Sequence, residues 1–509
     1  VSTTPEPSGL SNAQTNAVEQ MLRITPVVDR LAALFVAAGH ELHLVGGSVR
    51  DALLGRLGND LDLTTDARPE QIEPLLREFA RTGAEGSGVW DIGKAFGTIG
   101  CRWVGADGAD WVIEVTTYRS DVYAGDSRKP EVAFGDTLEG DLVRRDFTVN
   151  AMAISLPDRT FTDPYGGLGD LAAARLRTPG TPEQSFSDDP LRMMRAARFA
   201  SQLGFTADPD VVAAMTAMAD RIGIISAERV RDELSKLLLS GGPRTGLRLL
   251  VDTGLAAHVL PELPAMQLER DEHHRHKDVY EHSLTVLEQA IELEVARGHQ
   301  PDLVLRLAAL LHDIGKPRTR KFEGGGKVSF HHHDVVGAKM ARKRLQALKF
   351  PNDLVKSVSL LIELHLRFHG YAGDAFRGPG AGAAEPEAEW TDSAVRRYVR
   401  DAGDELERLH ILTRADCTTR NQRKANRLRG AYDDLERRIN ELAEAEELAA
   451  IRPDLDGTRI MELLQIPPGP QVGQAYKFLL ELRLDRGPLA PEEAERELLA
   501  WWQERSASS

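Results

Sequence analysis

Asp60 and Asp62 stand two apart in GNDLDLTT, a spacing that turns both carboxylates to one side of a strand. Two like charges held together call for a counter-cation, and Mg2+ suits an all-oxygen donor set. Glu114, in DWVIEVTTYR, offers a third carboxylate from a neighbouring strand, with Ile113 and Val115 turned the other way, toward a core. Upstream, Gly46 and Gly47 end a strand and Ser48 opens a helix, so that backbone N–H groups can approach a phosphate. Carboxylates, divalent ions and a phosphate cradle together are apparatus for phosphoryl or nucleotidyl transfer.

Two further segments extend that site. In RRDFTVNAMAI, Arg144 and Arg145 can oppose a triphosphate, and Asp146 can contact a ribose hydroxyl or hold an arginine. Phe147, Val149 and Met152 read as core, and Asn150 as a backbone-capping residue. In SDDPLRMMRAARFASQLGF, Asp188 or Asp189 caps a helix that Pro190 begins. The spacing puts Asp189 and Arg192 on adjacent turns of one face, continued by Arg195 and Arg198, so that acceptors and donors stand side by side as reading a base edge requires.

A separate set of residues is built for metal. His282 lies in VYEHSL, His312 and Asp313 in LLHDIGKP, His333 in HHHDVVGA, His365 in LIELHLRF and Asp416 in TRADC. Imidazole mixed with carboxylate suits first-row transition ions, especially a bridged pair, and a metal-bound water there would attack a phosphate ester. His331 and His332 compete with His333 for its place, and Lys316 is placed to face phosphate.

These residues need several elements to position them. The chain has 509 residues, 42% hydrophobic and 28% charged, with 44 Gly and 26 Pro, which predicts about three domains. Residues 1–22 read as a flexible polar tail, and Ile24–Ala38 as a helix before the strand in ELHLVGG. FGTIGCRWVG and DWVIEVTTYR predict a hairpin turning at ADGAD. Mixed helices and strands occupy 23–156, a helical neck and body 157–265, a histidine-rich helical block 266–418 with a Gly/Ala/Pro-rich loop at about 370–389, and a charged helical tail 419–509. Arg420, Arg423, Lys424 and Arg427 form a basic patch that would grip RNA phosphates. The balance of 63 basic and 78 acidic residues, −15, excludes a uniformly basic wrapper but leaves room for a local basic cleft. No apolar run reaches 18 residues, so no membrane span is expected. VSTTPEPSGLSNAQTN does not read as a signal peptide, and two cysteines, Cys101 and Cys417, suit a reducing cytoplasm.

GGSVRD with DLD, GKAFGT with EVTTYR, RRDFTVNA and DDPLRMMRAARF together resemble the bacterial class II CCA-adding tRNA nucleotidyltransferases of the polymerase-beta-like superfamily, joined to an HD domain in the actinobacterial manner. The resemblance covers nearly all of residues 40–485. It implies an α+β fold, with a polymerase-beta-like head followed by a mostly α-helical neck and body, HD domain and helical tail. It implies CTP and ATP as substrates, Mg2+ on Asp60 and Asp62, and the acceptor end of tRNA as partner. Gly46, Gly47, Ser48, Arg50, Arg144, Arg145 and Asp146 would contact the nucleotide, while Asp189 and Arg192 would pair with its base. In the HD part, His282, His312, Asp313 and Asp416 match the minimal pattern, and His333 and His365 resemble the extra ligands of two-metal members. The ion there would be Mn2+, Ni2+, Fe2+, Co2+ or Mg2+, and the implied activity is a phosphohydrolase acting on RNA ends or nucleotide phosphates. Two other readings stay open: a poly(A) polymerase or partial CC- or A-adding enzyme, and an HD phosphohydrolase whose head only binds nucleotide or RNA.

Overall fold

The computed structural model describes residues 8–119, 134–135, 137–267, 278–323, 327–368, 390–418, 422–446 and 452–507. They divide into two compact units, 1–261 and 262–509. The loop expected at about 370–389 lies outside the described residues.

The first unit is built on a mixed seven-stranded sheet: β1 Leu42–Val45, β2 Asp60–Thr65, β3 Gly88–Trp90, β4 Thr98–Val104, β5 Asp110–Thr117, β6 Ala153–Leu156 and β7 Phe161–Thr162, in the order β3-β4-β5-β2-β1-β6-β7. The hairpin β4–β5 forms as the sequence predicts, and β5 runs parallel to β2 with Asp62 opposite Glu114. Period-two burial explains the orientation: Leu61, Leu63, Ile113 and Val115 are buried, while Asp60, Asp62 and Glu114 alternate outward. Helices α1 Ser8–Ala37, α2 Gly47–Leu53 and α3 Pro69–Ala80 pack beside the sheet.

Two expectations about this region fail. Residues 8–22 are not a loose tail but the first half of α1. Ile24, Val28, Leu31 and Phe35 anchor the second half in the core, and adding a helical residue to an anchored helix is cheap, so the polar half follows. Asn16 then donates from Nδ2 to the Leu53 carbonyl at 3.3 Å. The boundary expected at 156 also falls inside the sheet, because β7 pairs with β6.

A short helix α4 Leu138–Val143 precedes β6, and after β7 the unit is mostly helical: α5 Gly167–Ala172, α6 Pro182–Asp188, α7 Leu191–Leu203, α8 Pro209–Ala217, α9 Ala227–Leu238 and α10 Pro243–Asp252, with a small parallel pair of Arg175–Leu176 and Thr206–Ala207 among them. Thr181, Asp208 and Ser226 cap α6, α8 and α9 through their side-chain oxygens.

In the second unit, helices Val279–Ala296, Leu303–Leu311, His333–Ala347, Asn352–Leu364 and Leu406–Ala415 pack together. Gly315 shows how closely: a Cβ on it would lie 2.1 Å from the His333 carbonyl oxygen, so only glycine lets the turn after Asp313 meet the helix that begins at His333. The helix Gln422–Glu446 follows, then a three-helix cluster, Gly457–Leu464, Pro470–Arg486 and Pro491–Ala507, around Ile460, Ala475, Leu479 and Leu498. No described helix is long and apolar enough to cross a membrane.

Candidate nucleotide cleft and metal centre

In the first unit a cleft of about 420 Å3 is lined by Gly46, Gly47, Asp62, Asp189 and seven arginines, with Asp146, Asn150 and Phe199 completing its wall. Gly46 takes φ +66°, a left-handed conformation that side chains disfavour, and the Arg145 guanidinium closes in where a Cβ would stand. The Ser48 hydroxyl faces away from the role expected for it: Oγ accepts from Asp62 N at 2.9 Å and donates to the Asp60 carbonyl, fixing β2 against α2.

The three strand carboxylates repel one another. Burial raises the Asp62 carboxyl above its usual range, Arg145 opposes that rise, and Asp60 adds to it. Glu114 is likewise raised by burial and then by Asp62 and Asp60. Such a set is relieved by a divalent cation, which is the physical ground for fitting one there.

Salt bridges to buried carboxylates hold the arginine side. Asp146 accepts from Arg195 Nε at 2.7 Å and from Asn150 Nδ2 at 2.9 Å, and its carboxyl lies well below the usual range because these partners outweigh its burial. Of the two roles open to Asp146, the side chain takes the second, holding an arginine. Asn150 is more than a capping residue: its Oδ1 accepts from Arg50 at 2.6 Å, so it ties Arg50 to Asp146. Arg198 is held by Glu233 at 2.6 Å. Arg145 binds Asp141 at 2.9 Å, and the Arg144 carbonyl accepts from Arg192.

Asp189 and Arg192 share the cleft, but not as neighbours on one helix face. Asp189 has extended backbone between α6 and α7 and caps Leu191 N through Oδ1 at 3.0 Å, which agrees with its expected capping role. Its Oδ2 pairs with Arg229 of α9 at 2.7 Å, while Arg192 reaches Ser185 Oγ at 2.9 Å. Pro190 is itself helical but holds the preceding Asp189 extended, so Asp189 and Arg192 meet through backbone, Arg192 N donating to the Asp189 carbonyl at 3.0 Å, and their side chains do not pair. The sequence reading missed Arg229, Glu233 and Phe199. Phe199 carries the guanidinium of Arg198 at 4.1 Å, with those of Arg50 and Arg195 at 5.3 and 5.6 Å. Arg229 and Glu233, four apart in AERVRDELSK, were the available signal.

The second unit brings its histidines together. His282, His312 and Asp313 form one group able to hold an ion, and Asp313, His333 and His365 another, with Asp313 common to both. Asp416 Oδ1 lies 2.9 Å from His282 Nε2. Local structure aims each ring. His312 and His365 each follow the last residue of a helix and bind its open carbonyls, Nδ1 to Ala309 O at 2.9 Å and to Ile362 O at 2.6 Å. His333 Nδ1 does the same with Phe330 O at 2.8 Å, and His282 Nδ1 meets Thr418 Oγ1 at 3.1 Å. With Nδ1 of His312, His333 and His365 donating to carbonyls, their Nε2 atoms are the ones left to face a metal. His331 is exposed beside Glu323 and His332 is exposed at the helix start, so neither takes the place of His333.

Electrostatics agree with a cation site. Burial alone would lower His312, but Asp313 and Asp416 raise it to about 10, while burial and His312 lower His365 to about 4. Lys316 Nζ lies 2.6 Å from Asp313 Oδ2, next to the cluster.

Of the basic patch, Arg423 and Arg427 are exposed on the helix Gln422–Glu446, while Arg420 and the Lys424 side chain lie outside the described residues. Cys101 is buried in β4 with its thiol pushed up to about 12, which keeps it protonated.

Comparison with known proteins matches the Poly A polymerase head domain to residues 42–177, the probable RNA and SrmB-binding site of polymerase A to 204–266, and the HD domain to 279–421. An A-adding tRNA nucleotidyltransferase of Deinococcus radiodurans is 35% identical over 91% of this chain and 96% of its own length. The CCA-adding enzymes of Levilactobacillus brevis and Bacillus subtilis are 42% and 40% identical over 43% and 47% of the chain, which spans about half of their lengths, 51% and 55%. The crystal structure of the Bacillus stearothermophilus CCA-adding enzyme in complex with CTP superposes with a TM-score of 0.61 at 26% identity, covering 94% of this chain and 98% of that one. Head and HD domain are thus matched in one chain that a relative aligns with almost end to end, and the chain belongs to the tRNA nucleotidyltransferase family.

Proposed function

We propose that this chain adds CCA to the 3′ end of tRNA from CTP and ATP without a template, and that its HD domain is a metal-dependent phosphohydrolase acting on RNA ends or nucleotide phosphates. The observation that carries the first part is one cleft holding Asp62, Asp189, Arg192 and the arginine wall together. Asp60, Asp62 and Glu114 would hold Mg2+, which when bound lowers the pKa of an attacking hydroxyl and neutralises charge on a triphosphate. Arg144, Arg145, Arg195 and Arg198, with the Gly46–Gly47 turn and Arg50, orient the triphosphate, so that the 3′-hydroxyl attacks the alpha phosphate in line and pyrophosphate leaves. Asp189 and Arg192 offer a carboxylate and a guanidinium to the base edge of C or A. A base that leaves one of these partly buried groups unpaired costs about 1–3 kcal/mol. Arg229 and Ser185, which hold the two side chains, keep that reading edge rigid.

In the HD domain His282, His312, Asp313 and Asp416, with His333 and His365, would hold Mn2+, Ni2+, Fe2+, Co2+ or Mg2+, any of which activates water when bound. Arg423 and Arg427 would grip the acceptor stem through its phosphates. The division into a head, a neck and body, an HD domain and an RNA-binding tail, the actinobacterial form of the fusion and a cytoplasmic location belong to this reading.

The test is extension of tRNA lacking CCA by purified protein with CTP, ATP and Mg2+, expected to add three nucleotides. A second reading, A addition alone, is favoured by the relative that matches nearly full length. It predicts no growth on that tRNA and one added A on tRNA ending in CC.

A further inference from the structure

Between Asp313 and His333 the chain makes an excursion: a short helix, Lys316–Thr319, then an antiparallel hairpin pairing Lys321–Glu323 with Lys327–Ser329. Both roots of this hairpin are tied to the HD cluster. At one root Lys316 Nζ contacts Asp313 and lies 5.8 Å from the Phe330 ring centroid; at the other, the Phe330 carbonyl accepts from His333 Nδ1. A three-residue strand spans about 10 Å.

Phe322, in the outward strand, is 73% exposed. Burial therefore does not account for a phenylalanine at this position. The Arg320 guanidinium lies 4.6 Å from its ring centroid. An exposed aromatic ring flanked by arginine is the arrangement on which unpaired bases stack in single-strand readers. The run KPRTRK adds Lys316, Arg318 and Lys321 to Arg320, more positive charge than one terminal phosphate calls for. The hairpin's acidic residue, Glu323, lies 3.6 Å from His331.

We propose that Phe322 and Arg320 form a base-stacking subsite on the hairpin rooted at the HD cluster, which seats the terminal nucleotide of an unpaired RNA strand with its phosphate toward Lys316. The assignment rests on the phosphohydrolase reading for the fate of that phosphate, but not for the stacking itself. The shared ligand chemistry is a nucleobase joined to a phosphate, and the basic run selects an RNA end over a free nucleotide.

The experiment irradiates the full-length, metal-loaded protein with a short oligoribonucleotide ending in 4-thiouridine 3′-phosphate and maps the attached peptides by mass spectrometry. Attachment at residues 320–322 is expected. Phe322→Ala should shift half-saturation about tenfold, the scale of one lost base stack, and Phe322→Trp should restore it. The ratio of kcat/KM for the oligomer over a baseless phosphate ester should fall by a similar factor in Phe322→Ala. Equal saturation by 4-thiouridine 3′-phosphate alone would overturn the RNA part of the assignment. Attachment confined to the nucleotide cleft, or half-saturation indifferent to Phe322→Ala, would overturn the subsite. Attachment at Phe322 without release of phosphate would leave the subsite standing and remove the phosphohydrolase reading.

Discussion

The nucleotide cleft and the HD cluster are both built from carboxylates and their counter-groups, but with opposite logic. In the cleft, Asp62 stands outward on a sheet among seven arginines, of which Arg145, Arg195 and Arg198 are held by Asp141, Asp146 and Glu233, Arg229 by Asp189, Arg50 by Asn150, and Arg192 by the Arg144 carbonyl. In the cluster His312, Asp313 and His365 are almost wholly buried, and each histidine is aimed by the hydrogen bond on its other nitrogen. The first arrangement suits an anion that arrives and leaves with every turnover; the second suits a cation that stays. Positive charge fixed around an open volume invites triphosphate, whereas lone pairs converging in a buried volume invite metal.

Breaking one region should leave the other working. The largest effect is expected from Asp62→Ala, which should lower nucleotidyl transfer by about 10³-fold, the scale on which one charge-organising group acts. Metal content of the HD domain, read by elemental analysis, should not change. If transfer survived, the strand carboxylates would not be the transfer centre.

Arg195→Ala should come next. It strips the buried Asp146 carboxylate of its main partner, which costs about 2 kcal/mol, at the low end for a buried pair because Arg195 is partly exposed. The sign with pH follows from the depressed Asp146 carboxyl. Its stabilising contribution is present above the unfolded carboxylate pKa of about 3.9 and is lost as pH falls below it. The stability gap between wild type and variant, measured by denaturant titration, should therefore narrow below about pH 4.

On the other side of the comparison, the metal-free cluster keeps a proton on His312 up to about 10. A metal must displace it, so affinity measured by calorimetry should fall roughly tenfold per unit as pH drops below that value. Thr418→Val, which removes the partner of His282 Nδ1, should weaken metal binding about tenfold with transfer intact. The smallest effect is expected from Arg423→Ala with Arg427→Ala: about a twofold rise in KM for tRNA, fading as salt is raised, with kcat for nucleotide addition to a minihelix preserved.

Much of this was legible along the chain. The alternation in DLDLTT and VIEVTT fixed which side chains turn inward, since a strand has no other periodicity, and the β4–β5 hairpin followed from its turn. The residues of the HD cluster stood out one by one in short motifs, and a helix end aims His312 and His365 locally, whereas Thr418 meets His282 from 136 residues away. The N-terminal half of α1 was not legible, since a polar stretch becomes helical only when its continuation is anchored. Nor was the true partner of Asp189: sequence offers Arg192, three residues on, whereas Arg229 arrives from a helix 40 residues away.

Local chemistry alone therefore determined which residue types this protein holds ready, because strand period, helix ends and glycine turns act over a few residues. Which charges actually meet was decided only when α7 packed against α9 and against the segment that carries Asp146. Asp146 with Arg195, Asp189 with Arg229 and Glu233 with Arg198 pair across long sequence separations, and their pairing follows from tertiary packing rather than spacing.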